Sequence, residues 1–357
     1  MKNDKQMKIQ LTPNRKVGAG ENPYIIAELG SNHNGDMEIC KKLIQAAKDS
    51  GADCVKFQSW SKDTLFAKIK YEENYFLADD YRNREDYSLE EIVDAYAISE
   101  KELIDMKEFC SKLDIDFAST PFSIREVDFL VNELNAPFIK IASMDVNNFP
   151  FLEYVAKKNK PIILSTGLST LSDIDEAVRT IEDAGNNQIV ILHCIATYPP
   201  KDEDINLKNI NTLANLYSYP VGFSDHTLGS CMSIAAVANN ACLIEKHFTL
   251  DKEMEGWDHK VSADPEDMKV ITRDSKRVST ALGNNRILRT EKDEQVKEFR
   301  RSIVASKDIK KGEKIKKEML DFKRPGTGLE PQLIKFIIGS EAKRDISFDE
   351  LIQMDDF

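Results

Sequence analysis

No stretch of this 357-residue chain approaches the roughly 20 apolar residues that a membrane-crossing helix needs, so no membrane span is expected. The polar opening MKNDKQMK does not read as a signal peptide. Cysteine is sparse: Cys40, Cys54, Cys110, Cys194, Cys231 and Cys242 lack paired CxxC spacing and mostly sit in apolar runs. That pattern argues against a disulfide framework and predicts reduced core thiols in a cytoplasmic protein. Positive charge is in deficit, and a net charge of −12 excludes general nucleic-acid affinity, although a local basic pocket can still hold phosphate. The glycine-rich first turn of a dinucleotide-binding fold is also missing. What remains, 41% apolar and 31% charged, is an ordinary globular composition, long enough for one large domain and a smaller one.

Between about residues 20 and 280, short β-rich runs alternate with longer amphipathic segments, the pattern of parallel βαβ units. The runs are YIIAELG from Tyr24, CVKFQ from Cys54, IDFAST from Ile115 and FIKIAS from Phe138. They continue with PIILSTG from Pro161, IVILHC from Ile189, PVGFSDH from Pro220 and LIEKHFT from Leu243. Helical segments such as Met37–Ser50, Ser172–Ala184 and Pro265–Leu282 lie between them. Eight such repeats predict a (β/α)8 TIM barrel over residues 1–283, with a doubly wound open sheet as the rival α/β architecture. Residues 284–301 read as a charged, partly helical linker, and residues 302–357, with KKG and PGTG turns and no long helix, as a small β-rich domain. The lysines between Lys307 and Lys317 read as a solvated face.

The run ends are polar where their beginnings are apolar. Glu28, Lys56 with Gln58, Ser119-Thr120, Lys140 with Ser143, Ser165-Thr166, His193, Ser224-Asp225-His226 and Glu245-Lys246-His247 would converge at the face where barrels place their active sites. All five histidines (His33, His193, His226, His247 and His259) fall at or near run ends. His226 and His247 end neighbouring strands about 4.8 Å apart, so they can share one divalent ion and leave positions open for substrate. Hydrogen-bonded barrel histidines are the plainer alternative. Asp225 is a candidate to orient His226. Lys56 and Lys140, with Thr120, Ser143, Ser165 and Ser224, suit a phosphate or carboxylate dianion. A Schiff-base lysine of an aldolase and plain ion pairing are the other readings. Glu28, Asp225, Glu245 and Asp258 are candidate acids or bases, unranked. Trp257 is an apolar wall or a sugar-stacking surface.

With AELGSNHNG (Ala27–Gly35), VKFQ, STPF, KIAS, ILSTG, LHC, YPP, GFSDHT and EKHFT in order, the chain resembles the sialic acid (N-acetylneuraminate) synthase family, which includes legionaminic and pseudaminic acid synthases. The tail SIVASKDIKKGEKI…RPGTG resembles that family's small antifreeze-like (SAF) domain. The resemblance implies condensation of phosphoenolpyruvate with an open-chain N-acetylated amino sugar. It implies a divalent ion on His226 and His247, manganese first, with magnesium and cobalt as alternatives. Lys56, Thr120, Lys140, Ser143, Ser165 and Ser224 would hold phosphoenolpyruvate. Glu28, Gln58, Tyr198 and Asp258 would face the sugar or the chemistry. Arg324 would close the site from the partner in a domain-swapped homodimer. Two departures bear on the sugar: Ala196 stands where N-acetylneuraminate synthases can carry an Asn, and Met144-Asp145 where many members have Gly-Glu. Gly256–Ser262 (GWDHKVS) also differs from the GPDA-type segment of pseudaminic acid synthases.

Overall fold

Apolar residues recur at helical spacing between the strands, and each helix so formed has one face to bury. In the helix Met37–Asp49 the buried residues Cys40, Leu43, Ile44 and Ala47 form one stripe. Its start is fixed by Asp36, whose carboxylate accepts from the Glu38 and Ile39 amides. The helix Leu171–Asp183 follows the same rule, with Thr170 as cap and Ile174, Ala177, Val178 and Ile181 buried. In Pro265–Leu282, proline occupies the first turn and Asp264 caps it.

These elements come from a computed structural model, which describes residues 7–73, 88–284 and 286–357. Positions 1–6, most of the polar opening, and Asn285 of the expected linker lie outside the described residues. The chain divides into two units, Met1–Gly283 and Asn284–Phe357. The strands of the first are β1 (Ile9–Thr12), β2 (Arg15–Val17), β3 (Tyr24–Gly30), β4 (Cys54–Ser59), β5 (Asp116–Pro121) and β6 (Ile139–Ile141). β7 (Ile162–Ser165), β8 (Ile189–Cys194), β9 (Val221–Asp225) and β10 (Leu243–His247) complete the unit.

Strands β3 to β10 form one eight-stranded sheet in the order β5-β4-β3-β10-β9-β8-β7-β6. Every ladder in it is parallel. The first and last strands in sequence, β3 and β10, are hydrogen-bonded neighbours, and β5 lies against β6, so the sheet is a nearly closed TIM barrel. Tyr24, Ile26, Cys54, Ala118, Phe138, Ile163, Val190, Leu192 and Leu243 pack inside it, while a larger core lies between strands and helices.

One element was not expected. β1 and β2 pair as an antiparallel hairpin, and its Ile9, Leu11 and Val17 join the barrel-interior cluster. Two strands of four and three residues carry too little alternation to stand out in a sequence. Cys231 is a second correction. It opens the helix Cys231–Ala238 and is exposed, whereas the other five cysteines are buried; all six are free thiols.

The second unit carries the helix Asp293–Phe299 and the antiparallel pair β11 (Ser302–Ala305) and β12 (Leu320–Lys323). Ile303, Ala305, Ile309, Ile315, Met319, Leu329, Ile337, Ile346 and Ile352 form its core. Lys307, Lys310, Lys311, Lys314, Lys316 and Lys317 are exposed, the solvated face expected of them. Among the described residues no helix is long and apolar enough to cross a membrane.

Candidate active site

Strand register decides which side chains meet. Glu28 on β3 lies beside Lys56 on β4 and beside His247 on β10. Glu245 on β10 is level with Ser224 on β9, and Gln58 on β4 with Thr120 on β5. Side chains alternate along a strand, so Glu245 and His247 share one face while Lys246 between them takes the other.

The inward residues form a buried ionic cluster. Lys56 pairs with Glu28, lies 3.8 Å from Glu245 Oε2, and donates to Thr120 Oγ1 at 2.8 Å. Lys140 Nζ is 3.4 Å from Glu245 Oε1, which also accepts from Ser224 Oγ at 3.1 Å. Gln58 Nε2 donates to Glu28 Oε1 at 3.1 Å and its own Oε1 accepts from Trp60 Nε1 at 3.2 Å. Burial depresses the Lys140 pKa, only partly offset by Glu245. Burial opposes the charge on Lys56 too, but Glu245 and Glu28 outweigh it and leave that pKa raised. Burial likewise raises the Glu28 pKa against the pull of Lys56. For Glu245 the two ammonium groups overcome burial and lower it. The cluster is not saturated: Ser165 Oγ is buried with no hydrogen-bond partner, and Glu245 Oε2 accepts no hydrogen bond.

Beside the cluster stand two imidazoles, His226 and His247, with ring centroids 5.5 Å apart. His226 Nδ1 is 2.8 Å from the Ile195 carbonyl, so Nδ1 carries a proton and donates it there. His247 is held neutral, its pKa lowered to about 3 by burial and then by Lys56. Its buried Nδ1 has no hydrogen-bond partner and lies 3.7 Å from Asp258 Oδ2. Two imidazoles with a carboxylate alongside are donor types that suit a divalent cation of borderline softness, although among the described residues no three His, Cys, Asp or Glu side chains are gathered closely enough to hold one in this arrangement. Tyr198, half-exposed, lies across the pair, its ring centroid 4.1 Å from His226 and 5.9 Å from His247.

Ser143 lies at the end of β6, where its Oγ accepts from the Gly167 amide at 3.0 Å. A side chain on Gly167 would put its Cβ 2.8 Å from Ser143 Oγ and 3.1 Å from Ala196 Cβ, so Gly167 and Ala196 keep this side of the mouth open. Arg324 belongs to the second unit, where its guanidinium lies 5.1 Å from the Phe299 ring centroid. The other three histidines are committed elsewhere. His33 Nδ1 accepts from the Gly35 amide, His193 Nε2 meets the Ile205 carbonyl, and His259 lies between Thr249 and Asn34.

Asp225 does not orient His226. It faces away from the ring, pairs with Lys246 at 3.1 Å, and accepts from Ser233 Oγ and the Thr227 amide. Strand alternation explains it, since neighbours in sequence point to opposite faces. Glu245 is the reverse case: unranked among the sequence candidates, among the described residues it is the carboxylate within ion-pair distance of both Lys56 and Lys140. Its spacing of two from His247 was the available signal.

A model described as "NeuB family" matches residues 43–287, and a model described as "SAF domain" matches residues 300–357. An N,N'-diacetyllegionaminic acid synthase of Campylobacter jejuni is 41% identical over 92% of this chain and 98% of its own. A pseudaminic acid synthase of the same organism is 35% identical over 94% and 96%. The crystal structure of an N-acetylneuraminic acid (sialic acid) synthetase from Leptospira borgpetersenii superposes with a TM-score of 0.72 at 32% identity, over 81% of this chain and 94% of that one.

Proposed function

This chain belongs to the NeuB family, and from that premise we propose that it condenses phosphoenolpyruvate with an open-chain N-acetylated amino sugar and water, releasing phosphate and a nine-carbon sialic-acid-type product. The carrying observation is the unsaturated ionic cluster lying beside two imidazoles at the strand ends. Lys56 and Lys140, with Thr120, Ser143, Ser165 and Ser224, bind phosphoenolpyruvate; a dianion there draws the two ammonium groups from Glu28 and Glu245. His226 and His247 hold the divalent ion that the family generally uses, manganese in our reading, and that ion supplies Lewis-acid polarisation of the aldehyde. C3 of phosphoenolpyruvate forms the new bond to the aldehyde carbon, water adds at C2, and phosphate departs with C–O cleavage. Glu28, Gln58, Tyr198 and Asp258 line the sugar side.

For the acceptor we favour 2,4-diacetamido-2,4,6-trideoxymannose over N-acetylmannosamine. Ala196 beside Gly167 offers the sugar no amide contact, and identity to the legionaminic relative exceeds that to the pseudaminic one. A Schiff-base aldolase would use Lys140, whose depressed pKa suits a nucleophile, but Glu245 at 3.4 Å keeps it ion-paired. Phosphate release from phosphoenolpyruvate with each sugar tests the reading. The diacetamido sugar should have the higher kcat/KM, by roughly 5- to 150-fold. Equal rates would overturn the choice of sugar; no release with any aldose would overturn the reaction.

The reaction is assigned to the cytoplasm, where six free thiols persist. The working assembly is assigned as a homodimer in which Arg324 completes the partner's site. Co-expressed Arg324→Ala and His247→Ala chains should then recover about a quarter of wild-type activity, because half of randomly paired dimers are mixed and each has one intact site. Activity no higher than that of the separate variants would reject it.

A further inference from the structure

The loop after β10, residues 250–262, carries Trp257 and Asp258, and it is tied to the loop after β3, Ser31–Gly35, by side chains the reaction does not use. Asn32 is fully buried, and its Nδ2 donates both to the Phe248 carbonyl and to Ser262 Oγ, each at 2.9 Å. Ser262 Oγ in turn donates to the Asp258 carbonyl at 2.6 Å. Two residues on, Asn34 Nδ2 donates to the Glu255 carbonyl at 2.6 Å. Asn34 Oδ1 is 3.2 Å from His259 Nε2, and His259 Nδ1 is 2.6 Å from Thr249 Oγ1.

The Asn34 amide fixes the direction of its own bond to the ring. Burial lowers the His259 pKa to about 4, so the ring is neutral and carries a single proton. With that proton on Nε2 it donates to Asn34, which can only accept at Oδ1. Nδ1 is then left as an acceptor 2.6 Å from Thr249 Oγ1, whose hydroxyl also reaches the Asp251 carbonyl at 2.9 Å. Gly256 is what lets the chain pass: a Cβ there would lie 2.4 Å from the His259 ring and 2.5 Å from Asn34 Oδ1. The clamp therefore grips both sides of Asp258, at Glu255 before it and at His259 and Ser262 after it. Asp258 is the carboxylate 3.7 Å from His247 Nδ1.

We propose that Asn32 and Asn34 are positioning residues that hold Asp258 and the 250–262 loop against His247, fixing the acceptor side of the site and leaving the phosphoenolpyruvate side untouched. The proposal rests on the assignment of Asp258 to the sugar side. Both asparagines sit on the loop that leaves β3 after Gly30, a few residues beyond Glu28, so one short segment supplies a cluster carboxylate and also braces the loop after the neighbouring strand β10. Asn34 itself has positive φ, a conformation asparagine accepts readily.

Two variants break the clamp differently. Asn34→Ala removes the donor and the acceptor. Gly256→Ala keeps the Asn34 amide but presses a methyl group against both Asn34 Oδ1 and the His259 ring, forcing them apart. Each should lower kcat/KM for the sugar by about 10- to 100-fold, as small displacements of positioned groups do, while the Kd for phosphoenolpyruvate stays within about twofold. In an Asp258→Asn background, Asn34→Ala should change kcat/KM by less than about twofold, since residues acting through one another are not additive. Hydrogen exchange of the 250–262 amides in the full chain should quicken in both variants, a readout independent of turnover. Wild-type exchange in both variants would overturn the clamp. Fully multiplicative losses in the double variant, or an equal loss of phosphoenolpyruvate affinity, would overturn positioning through Asp258. A wild-type enzyme with no phosphate release would instead reject the proposed reaction, and exchange would still decide the clamp.

Discussion

Two buried ionic groups lie on opposite faces of the barrel sheet, and they differ in how completely their charges are satisfied. On the outer face of β9 and β10, Lys246 pairs with Asp225, and both side chains are 0% exposed. Lys246 also donates to the Thr227 carbonyl at 2.6 Å, and Asp225 accepts from Ser233 and the Thr227 amide. On the inner face, Lys56, Lys140, Glu28 and Glu245 are nearly as buried, yet Ser165 Oγ and His247 Nδ1 beside them have no hydrogen-bond partner. The outer pair has its charged atoms partnered, although Thr227 Oγ1 beside it is buried without a hydrogen bond, and it holds the wall together. The unsaturated inner cluster keeps donors for a ligand, and its unfilled hydrogen bonds are a standing cost that binding relieves.

The sharpest way to break this comparison is to remove one cation from each group. Lys246→Met leaves Asp225 buried without its counter-charge and should lower the unfolding free energy by about 3–5 kcal/mol, read by denaturant titration. Activity per folded molecule should survive. Lys140→Met should do the reverse. Glu245 keeps Lys56 and Ser224, so stability changes far less than in Lys246→Met. The kcat/KM for phosphoenolpyruvate should fall by about 2–5 kcal/mol, roughly 30- to 5,000-fold. If Lys140→Met destabilised the fold as much as Lys246→Met, the inner cluster would be structural.

Ligand binding sharpens the same contrast. Phosphoenolpyruvate at 100 times its Kd should stabilise the wild type by about 2.7 kcal/mol. The same concentration should leave Lys140→Met almost unchanged and should protect a folded Lys246→Met fully. The smallest effect is expected from Ser165→Ala. Its hydroxyl is unpartnered in the free protein, so the thermal midpoint should stay near wild type or rise. Losing a hydrogen bond to the bound anion should cost about 1.5–3 kcal/mol in kcat/KM. A lowered midpoint with unchanged kinetics would mean that Ser165 serves the barrel alone.

The barrel was legible in the chain because its signal is local. Alternating β-rich runs and amphipathic segments record burial residue by residue, and the apolar-to-polar gradient along each run marks its mouth end. The site residues could be gathered for the same reason: eight strand ends at one face must converge whatever the details. The hairpin Ile9–Val17 escaped notice because short strands have almost no pattern of their own and are held by the barrel they plug.

What the sequence determined alone was the fold class and the set of polar strand ends, since periodicity and composition are properties of neighbours along the chain. What only the tertiary structure decided was which charges meet. Asp225 adjoins His226 in sequence and turns from it, while Glu245 reaches Lys56 and Lys140 across the barrel from distant runs. Whether a buried charge is saturated or left with a vacant partner depends on register and strand face, and those are fixed when the sheet closes.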